Sequence, residues 1–160
     1  MSEVHIEFEL NGRRQRAKVA SNSLLIDYLR DQCHLKGAKI GCARGVCGAC
    51  TVLIDDVPKA ACSIFTFQVD AARVTTVEGL SKNGQLDPVQ QAFVDHSAFQ
   101  CGYCTSGMIL LTKALLASDE NPDRATIVEW LSSNVCRCTG YAQIIAAVED
   151  AARRVREVPG

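Results

Sequence analysis

The cysteines of this sequence are spaced as metal ligands often are, and three of them lie in the glycine-rich segment Gly41–Thr51. Cys42, Cys47 and Cys50 follow the spacing C-x4-C-x2-C, and Cys62 follows about one hairpin later. This spacing is typical of plant-type [2Fe-2S] centres. The alternative is a structural zinc site, which usually joins two short cysteine knuckles across a long gap. The segment matches that pattern poorly, so we predict an iron–sulfur cluster held by these four residues, the first cysteine set.

The residues between these cysteines are small enough for the backbone to wrap closely around a cluster. Gly45 and Gly48 can adopt positive φ without the penalty that a Cβ atom brings. Backbone N–H groups of such a loop would point at the cluster sulfurs. These donors, together with the positive charge of Arg44, would help to set the reduction potential of a negatively charged centre.

A second cysteine set consists of Cys101, Cys104, Cys136 and Cys138, in the spacings C-x2-C and C-x-C. Each spacing can present two thiolates from one tight turn, and we expect the two turns to meet at one end of a helical arrangement. The alternatives are zinc or a pair of disulfides, although zinc ribbons prefer C-x2-C in both halves. We interpret the set as a second [2Fe-2S] cluster, and the ninth cysteine, Cys33, as a free, partly buried thiol.

The composition is that of an ordinary globular chain that is rich in cysteine. Nine cysteines in 160 residues would suggest disulfides in a secreted protein, but eight of them fall into the two sets. The formal net charge of −1 comes without a basic patch, which argues against nucleic acid as a partner. No apolar run approaches the length of a membrane span and no export signal is recognisable, so we expect a cytoplasmic protein.

The first half of the sequence predicts a small α+β domain, at residues 1–79. Val4–Leu10 alternates apolar and polar residues, as a strand with one solvated face does. Asn11-Gly12 is a strong hairpin signal, and Arg13–Val19 returns as the second strand. The other expected elements are a helix over Leu24–Arg30 and strands at Thr51–Ile54, at Ala60–Ser63 with Cys62, and at Arg73–Val77. This order matches the β-grasp fold of plant-type ferredoxins.

The second half, residues 80–160, predicts an all-α domain of four helices. Asp87-Pro88 begins the first helix, because Asp caps helix N-termini and Pro is favoured at the first helical position. The other three are expected over about Thr105–Ala117, over Asp123–Ser133 and from Tyr141 onward. The second cysteine set lies in the turns inside the two helix pairs, so the fold class is α+β followed by a helical domain.

The sequence offers no separate site for substrate chemistry. If all four cysteines of each set bind metal, neither set leaves a vacant coordination position. The sequence also contains no phosphate loop and no G-x-G-x-x-G element. We therefore expect an electron conduit whose substrate is transformed on another subunit, and we assign no catalytic residue to this chain.

Three segments carry a resemblance to a known family. G-C-A-R-G-V-C-G-A-C-T-V, Q-C-G-Y-C-T-S-G-M-I and N-V-C-R-C-T-G-Y resemble the small iron–sulfur subunit of the molybdenum hydroxylases. This is the xanthine oxidase family, which includes carbon monoxide dehydrogenase, quinoline and isoquinoline oxidoreductases, nicotine dehydrogenase and 4-hydroxybenzoyl-CoA reductase. The likeness covers roughly residues 4–152. One departure is Ser106, because the family motif often has proline there. Serine can cap a helix where proline would fix φ, so we expect the helix to persist.

The resemblance implies a role for each set. The first set would bind the cluster that is distal to molybdenum and faces a flavin subunit, and the second would bind the proximal cluster. Gln100 matches the family glutamine that hydrogen-bonds the pterin. Cys138 would lie where electrons leave the pterin, in addition to binding metal.

The resemblance also implies partners. A large subunit would hold molybdopterin in its cytosine dinucleotide form, a medium subunit would hold FAD, and the complex would be a dimer of heterotrimers. Such a holoenzyme hydroxylates a carbon centre with water as the oxygen source, and electrons pass through the proximal and distal clusters to FAD. The alternatives are a flavin-free form that donates to a cytochrome, a free-standing two-cluster ferredoxin, for which the near-neutral charge is unfavourable, and a zinc-bound interaction module.

Overall fold

The computed structural model describes residues 2–157, which form an α+β protein with strands in the first half and longer helices in the second. Met1 and residues 158–160, at the outer ends of the two predicted domains, lie outside the described residues. The strands are β1 (Glu3–Leu10), β2 (Arg13–Ala20), β3 (Thr51–Ile54), β4 (Val57–Ala60) and β5 (Arg73–Thr75). The helices are α1 (Leu25–Asp27), α2 (Pro88–Asp95), α3 (Thr105–Ser118), α4 (Arg124–Leu131) and α5 (Ala142–Glu157).

The five strands form one mixed sheet in the order β2-β1-β5-β3-β4. Strand β1 runs parallel to β5, and the other neighbours are antiparallel. The predicted hairpin between β1 and β2 is confirmed, with positive φ at Asn11 and Gly12. Ile6, Phe8 and Leu10 are buried on one face of β1, as the alternation predicted.

Two predictions in the first half need correction. The helix expected over Leu24–Arg30 is one α-helical turn that continues as a π-helical turn, Tyr28–Gln32. The Cys33 N–H donates to the Tyr28 carbonyl, five residues earlier, at 3.1 Å, which closes a wider turn than the α-helical bond to the fourth residue would. The buried residues of this segment are Leu25, Ile26, Tyr28 and Leu29. The strand expected at Ala60–Ser63 ends at Ala60, whose partner Thr51 begins β3. Cys62 therefore lies on a 3-10 turn beyond the sheet, at Ala61–Ser63.

Two helices of the second half, α2 and α4, begin at side-chain caps. Asp87 Oδ1 accepts the Val89 N–H at 2.9 Å, and the Gln90 carboxamide oxygen accepts the Asp87 N–H at 3.0 Å. This capping box confirms the predicted start of α2. Asp123 caps α4 in a similar way, since its Oδ1 accepts the Thr126 N–H at 2.7 Å.

Helix α3 is the central element of the molecule. Its residues from Ser106 to Thr112 are all buried, because one side packs on the other helices and the other side on the sheet. Leu110 and Ala114 form a small cluster with Leu53 of β3. The two halves are therefore packed against each other. Among residues 2–157 no helix is long and apolar enough to cross a membrane.

Candidate metal centres

The four cysteines of the first set meet in two pairs. The Cys42 side chain lies close to that of Cys47, and the Cys50 side chain lies close to that of Cys62. The pairs are close enough for the charge of Cys47 to act on Cys50. Cys50 and Cys62 are buried beneath the loop, whereas Cys42 and Cys47 are only half-buried. The set therefore has an inner and an outer pair.

Backbone N–H groups converge on two of these sulfurs. Cys42 Sγ accepts the N–H groups of Arg44, Val46 and Cys47 at 3.4, 3.3 and 3.4 Å. Cys62 Sγ accepts the N–H of Gly45 at 3.2 Å. The N–H groups of Arg44, Cys47 and Val46 lower the pKa of Cys42 to about 6. The loop therefore favours the thiolate, which is the form that binds metal.

In each set, one buried thiol has surroundings that disfavour the thiolate. Burial raises the pKa of Cys50 to about 12, and burial also raises the pKa of Cys104 to about 12. A buried thiolate needs a compensating positive charge nearby, and a bound metal supplies one. At Cys50 and at Cys104 the thiolate is therefore favoured only when it coordinates a metal.

The loop leaves little room between its turns. Gly45 and Gly48 have φ of +73° and +71°, as the sequence predicted. A Cβ on Gly41 would lie 2.8 Å from Cys47 Sγ, and a Cβ on Gly48 would overlap the Asn134 carboxamide. The small residues thus bring the backbone within contact distance of the sulfurs and of the second half of the chain.

The second cysteine set also consists of two pairs. Cys138 Sγ lies 3.6 Å from Cys101 Sγ, and both residues are exposed at the surface. Cys104 is buried, and its side chain lies close to that of Cys136. Two thiolates bound to one tetrahedral metal ion, each at about 2.3 Å from the metal, are roughly 3.8 Å apart. The exposed outer pair, Cys101 and Cys138, therefore has the separation that a shared metal ion requires.

Hydrogen bonds organise the turn that carries Cys136. Thr139 Oγ1 lies 3.1 Å from Cys136 Sγ. Burial works against the Cys136 thiolate, but the hydrogen bonds from Thr139 prevail and the pKa is lowered. The Tyr141 hydroxyl accepts the Cys136 N–H and donates to the Asn134 carbonyl, each at 2.9 Å. Tyr141 therefore clamps the turn from the beginning of α5.

The paired arrangement fits a two-iron cluster. Among residues 2–157, no three His, Cys, Asp or Glu side chains surround one metal-ion position. The cysteines instead meet two by two in both sets, and a [2Fe-2S] cluster takes two cysteine ligands on each iron. The donor set, the N–H groups aimed at sulfur and the tight backbone thus agree with the chemistry predicted from the spacing.

A backbone hydrogen bond joins the two sets. The Val135 N–H donates to the Cys47 carbonyl at 2.9 Å, and Val135 directly precedes Cys136. Asn134 is 3% exposed and lies against Gly48 and Gly107. These contacts make the two candidate centres direct neighbours.

Other residues named from the sequence have varied surroundings. Gln100 is exposed in the turn before Cys101, at the same surface as the outer pair of the second set. Cys33 is partly buried beside Tyr28, outside both sets, and burial raises the pKa of its thiol. Ser106 does not cap α3, because the N-cap is Cys104, and its hydroxyl binds the Gly37 carbonyl instead.

Sequence reasoning missed Tyr141 and Asn134 as parts of the site. Tyr141 was assigned only to the start of a helix, and Asn134 only to a motif. The tyrosine hydroxyl bonds residues five and seven positions away around a turn, and no local pattern in the sequence signals such a clamp.

Two family models match this chain. One is described as a 2Fe-2S iron-sulfur cluster binding domain and matches residues 25–101, which include the first cysteine set. The other is described as a [2Fe-2S] binding domain and matches residues 76–149, which include the second set.

Relatives of known identity resemble the chain over almost its whole length. It is 43% identical over 152 residues to the beta subunit of the 6-hydroxypseudooxynicotine dehydrogenase complex of Paenarthrobacter nicotinovorans, covering 94% of this chain and 95% of the relative. It is 45% identical over 148 residues to the nicotine 6-hydroxylase small subunit of the same organism, covering 92% and 89%. The crystal structure of quinoline 2-oxidoreductase from Pseudomonas putida 86 superposes with a TM-score of 0.93 at 39% identity, covering 97% of each chain. This chain therefore belongs to the small iron–sulfur subunits of the molybdenum hydroxylase family of oxidoreductases.

Proposed function

We propose that both cysteine sets bind [2Fe-2S] clusters and that the chain relays electrons between a molybdopterin site in a large subunit and FAD in a medium subunit. The observation that carries this proposal is the pairing of the thiols, two by two, in both sets. Each cluster, when bound, accepts and releases one electron at a time. The chain itself supplies the ligands, the N–H donors and the spacing between the centres.

The division of each set into inner and outer pairs supports a relay with two ends. Cys101 and Cys138 are exposed, whereas Cys104 is 8% exposed. Phe99, Tyr103 and Val135 are large apolar residues near this pair, and they are 41%, 46% and 51% exposed. Exposed apolar groups beside exposed thiols favour a protein partner that covers them. We assign this surface to the large subunit, with Gln100 and Cys138 towards the pterin.

The other end of the relay is the loop of the first set. Val46 is 63% exposed between the half-buried Cys42 and Cys47. We assign this loop to the medium subunit and its FAD, within a dimer of heterotrimers. A carrier that is complete by itself would have less reason to expose these apolar residues at both ends.

We further propose two domains, a β-grasp ferredoxin-like domain at residues 1–79 and a four-helix domain at residues 80–160. The mixed sheet β2-β1-β5-β3-β4 with a helix after the first hairpin supports the first assignment. Separate apolar cores in the two halves support the division.

Electron paramagnetic resonance on the dithionite-reduced native complex tests the proposal, with iron, molybdenum and flavin quantified on the same sample. The expected result is two distinct [2Fe-2S] signals with about four irons per chain. One signal with half the iron would instead favour zinc or disulfides at the second set. Two signals without molybdenum in the complex would instead favour a free-standing ferredoxin, and molybdenum without flavin would favour the form that donates to a cytochrome.

A further inference from the structure

Ser106 makes a hydrogen bond from one half of the molecule to the other. It is the second residue of α3, two positions after Cys104, and it is 6% exposed. Its hydroxyl donates to the Gly37 carbonyl at 2.6 Å. Gly37 belongs to the segment that leads from α1 into the loop of the first cysteine set. The bond therefore connects the helix that begins at the second set with the chain that enters the first.

The Gly37 end of this bond is itself fixed. The Gly37 N–H donates to Glu78 Oε1 at 2.7 Å, and the Lys39 ammonium donates to the Gly37 carbonyl at 3.0 Å. The Lys39 N–H in turn donates to the Ala49 carbonyl at 2.9 Å, directly before Cys50. A displacement of Ser106 relative to Gly37 is thus a displacement relative to the ligand loop.

The first turn of α3 also touches that loop directly. A Cβ on Gly107 would overlap the Gly48 carbonyl oxygen, so the two backbones are in close contact. This contact limits how closely the two backbones approach, but van der Waals contact alone does not prevent one from sliding along the other. Two directional bonds do: one from the Ser106 hydroxyl to the Gly37 carbonyl, and one from the Tyr103 hydroxyl, one residue before Cys104, to the Ile40 carbonyl at 2.7 Å.

We propose that Ser106 is a positioning residue for electron transfer between the two centres, because its hydroxyl holds the first turn of α3, and with it Cys104, in register with the loop of the first set. This inference rests on the proposed function, that both sets bind clusters. Proline, which is common at this position in the resembling motif, has no hydroxyl and cannot form the bond. A chain with proline at this position therefore lacks the bond.

The variant Ser106→Ala removes the bond without leaving an unpaired group. The Gly37 carbonyl keeps its bond to Lys39, and α3 does not use the Ser106 hydroxyl as a cap. Alanine is also a favourable helix residue. We therefore expect Ser106→Ala to assemble with both clusters, so that the experiment measures positioning rather than folding.

The test uses the complete complex and compares Ser106→Ala with Ser106→Thr and with Ser118→Ala. Ser118 lies at the other end of α3, and its hydroxyl binds only the Leu115 carbonyl of the same helix, which makes it a matched control. The magnetic splitting between the two fully reduced centres is measured at low temperature, together with the electron exchange rate between them and the iron content. Splitting depends on the separation and orientation of the centres, which a role in stability alone would not change.

The expected result for Ser106→Ala is full iron, two signals, a changed splitting and slower exchange. Ser106→Thr, which keeps a hydroxyl, regains both properties, and Ser118→Ala matches the unmodified complex. Unchanged splitting and exchange in Ser106→Ala would overturn the inference, as would selective loss of iron from the second set or absence of splitting in the unmodified complex. An unmodified complex with a single cluster signal would overturn the proposed function first and this inference with it.

Discussion

At the scale of single residues, the cysteines differ in what surrounds them. Eight lie in the two sets, each thiol paired with another, whereas Cys33 lies apart beside Tyr28. The sets are joined through the protein, by the bonds from Val135 to Cys47 and from Ser106 to Gly37 and by buried contacts. Loss of one ligand should therefore affect its own set and leave the other intact.

Cys138→Ser tests this independence. We expect the signal of the second set to be lost or shifted and iron to fall from about four to about two per chain, while the first signal remains. The reason is that a serine hydroxyl is a poor ligand in a thiolate site. Cys33→Ser is the matched control and should retain both signals. Equal loss of both signals in Cys138→Ser would contradict two independent sites.

A comparison of Gly48 with Gly12 distinguishes the cost of backbone strain from the cost of steric crowding. Gly48 and Gly12 have φ of +71° and +77°, so a side chain at either position costs roughly 1–2 kcal/mol in strain. A Cβ on Gly12 would meet open space, whereas one on Gly48 would overlap Asn134, which is buried at 3% exposure.

Gly48→Ala should therefore impair iron incorporation, whereas Gly12→Ala should lower only the free energy of unfolding, by roughly 1–2 kcal/mol. Iron per chain and chemical denaturation of both variants measure the difference. Normal iron content in Gly48→Ala would show that the loop can move away from Asn134 and would count against a tightly packed site.

At the scale of elements, α2 and α5 are joined by charged side chains as well as by their apolar faces. Arg154 Nη2 lies 2.7 Å from both Asp95 Oδ2 and Asp150 Oδ2, and His96 Nε2 lies 3.2 Å from Asp150. Arg153 contacts Asp150 at 3.0 Å. The Asp150 side chain is only 13% exposed, so this carboxylate depends on its partners.

The protonation of Asp150 links this cluster to pH. Burial raises the pKa of Asp150, but hydrogen bonds from Arg153 and Arg154 outweigh it and hold the pKa below its usual value. Hydrogen bonds from Gln91 and Arg154 lower the pKa of Asp95. A carboxyl group with a depressed folded-state pKa stabilises the protein above its unfolded-state pKa, and the contribution disappears as pH falls through the folded-state pKa.

We therefore expect stability to decline below about pH 4, and Asp150→Asn to make this decline shallower while costing about 1 kcal/mol near neutrality. Urea unfolding across the acid range measures both effects. Glu149→Gln is the control, because Glu149 lies on the same helix in an exposed pair with Arg124. An equally steep acid decline in Asp150→Asn would mean that other carboxyl groups dominate.

At the scale of the whole molecule, α3 connects the sheet with the helices. Leu110 is 1% exposed and packs with Leu53 of the sheet, whereas Leu115 is 1% exposed within the core of the helical half. The same truncation at these two positions therefore weakens either the junction between the halves or one core alone.

Leu110→Ala and Leu115→Ala should each lower the free energy of unfolding by roughly 2–5 kcal/mol. Only in Leu110→Ala should the two halves unfold in separate transitions. Trp130 fluorescence monitors the helical half, and cluster absorbance monitors the cysteine loops. Trp130 is the single tryptophan of the sequence, which makes the first signal specific. Coincident transitions in Leu110→Ala would contradict a junction at α3.

The features that could be predicted from the sequence are those that local chemistry specifies. Cysteine spacing indicated both sets and the family to which the chain belongs, Asn11-Gly12 specified the first hairpin, and Asp87-Pro88 specified the start of α2. Each of these depends on residues a few positions apart, because turns, caps and chelating loops are closed by short stretches of backbone. The sequence did not predict the π-helical turn or the 3-10 turn at Cys62, since both depend on how these segments pair with or pack against the neighbouring sheet.

The spatial relation between the two sets depends on tertiary contacts. The bond from Ser106 to Gly37, the bond from Val135 to Cys47 and the position of Asn134 between two glycines join residues far apart in the sequence. Such contacts leave no periodicity or spacing, because they arise where two independently patterned halves pack together. Burial of α3 from Ser106 to Thr112 has the same origin, and it is this packing that makes the two cysteine sets neighbours.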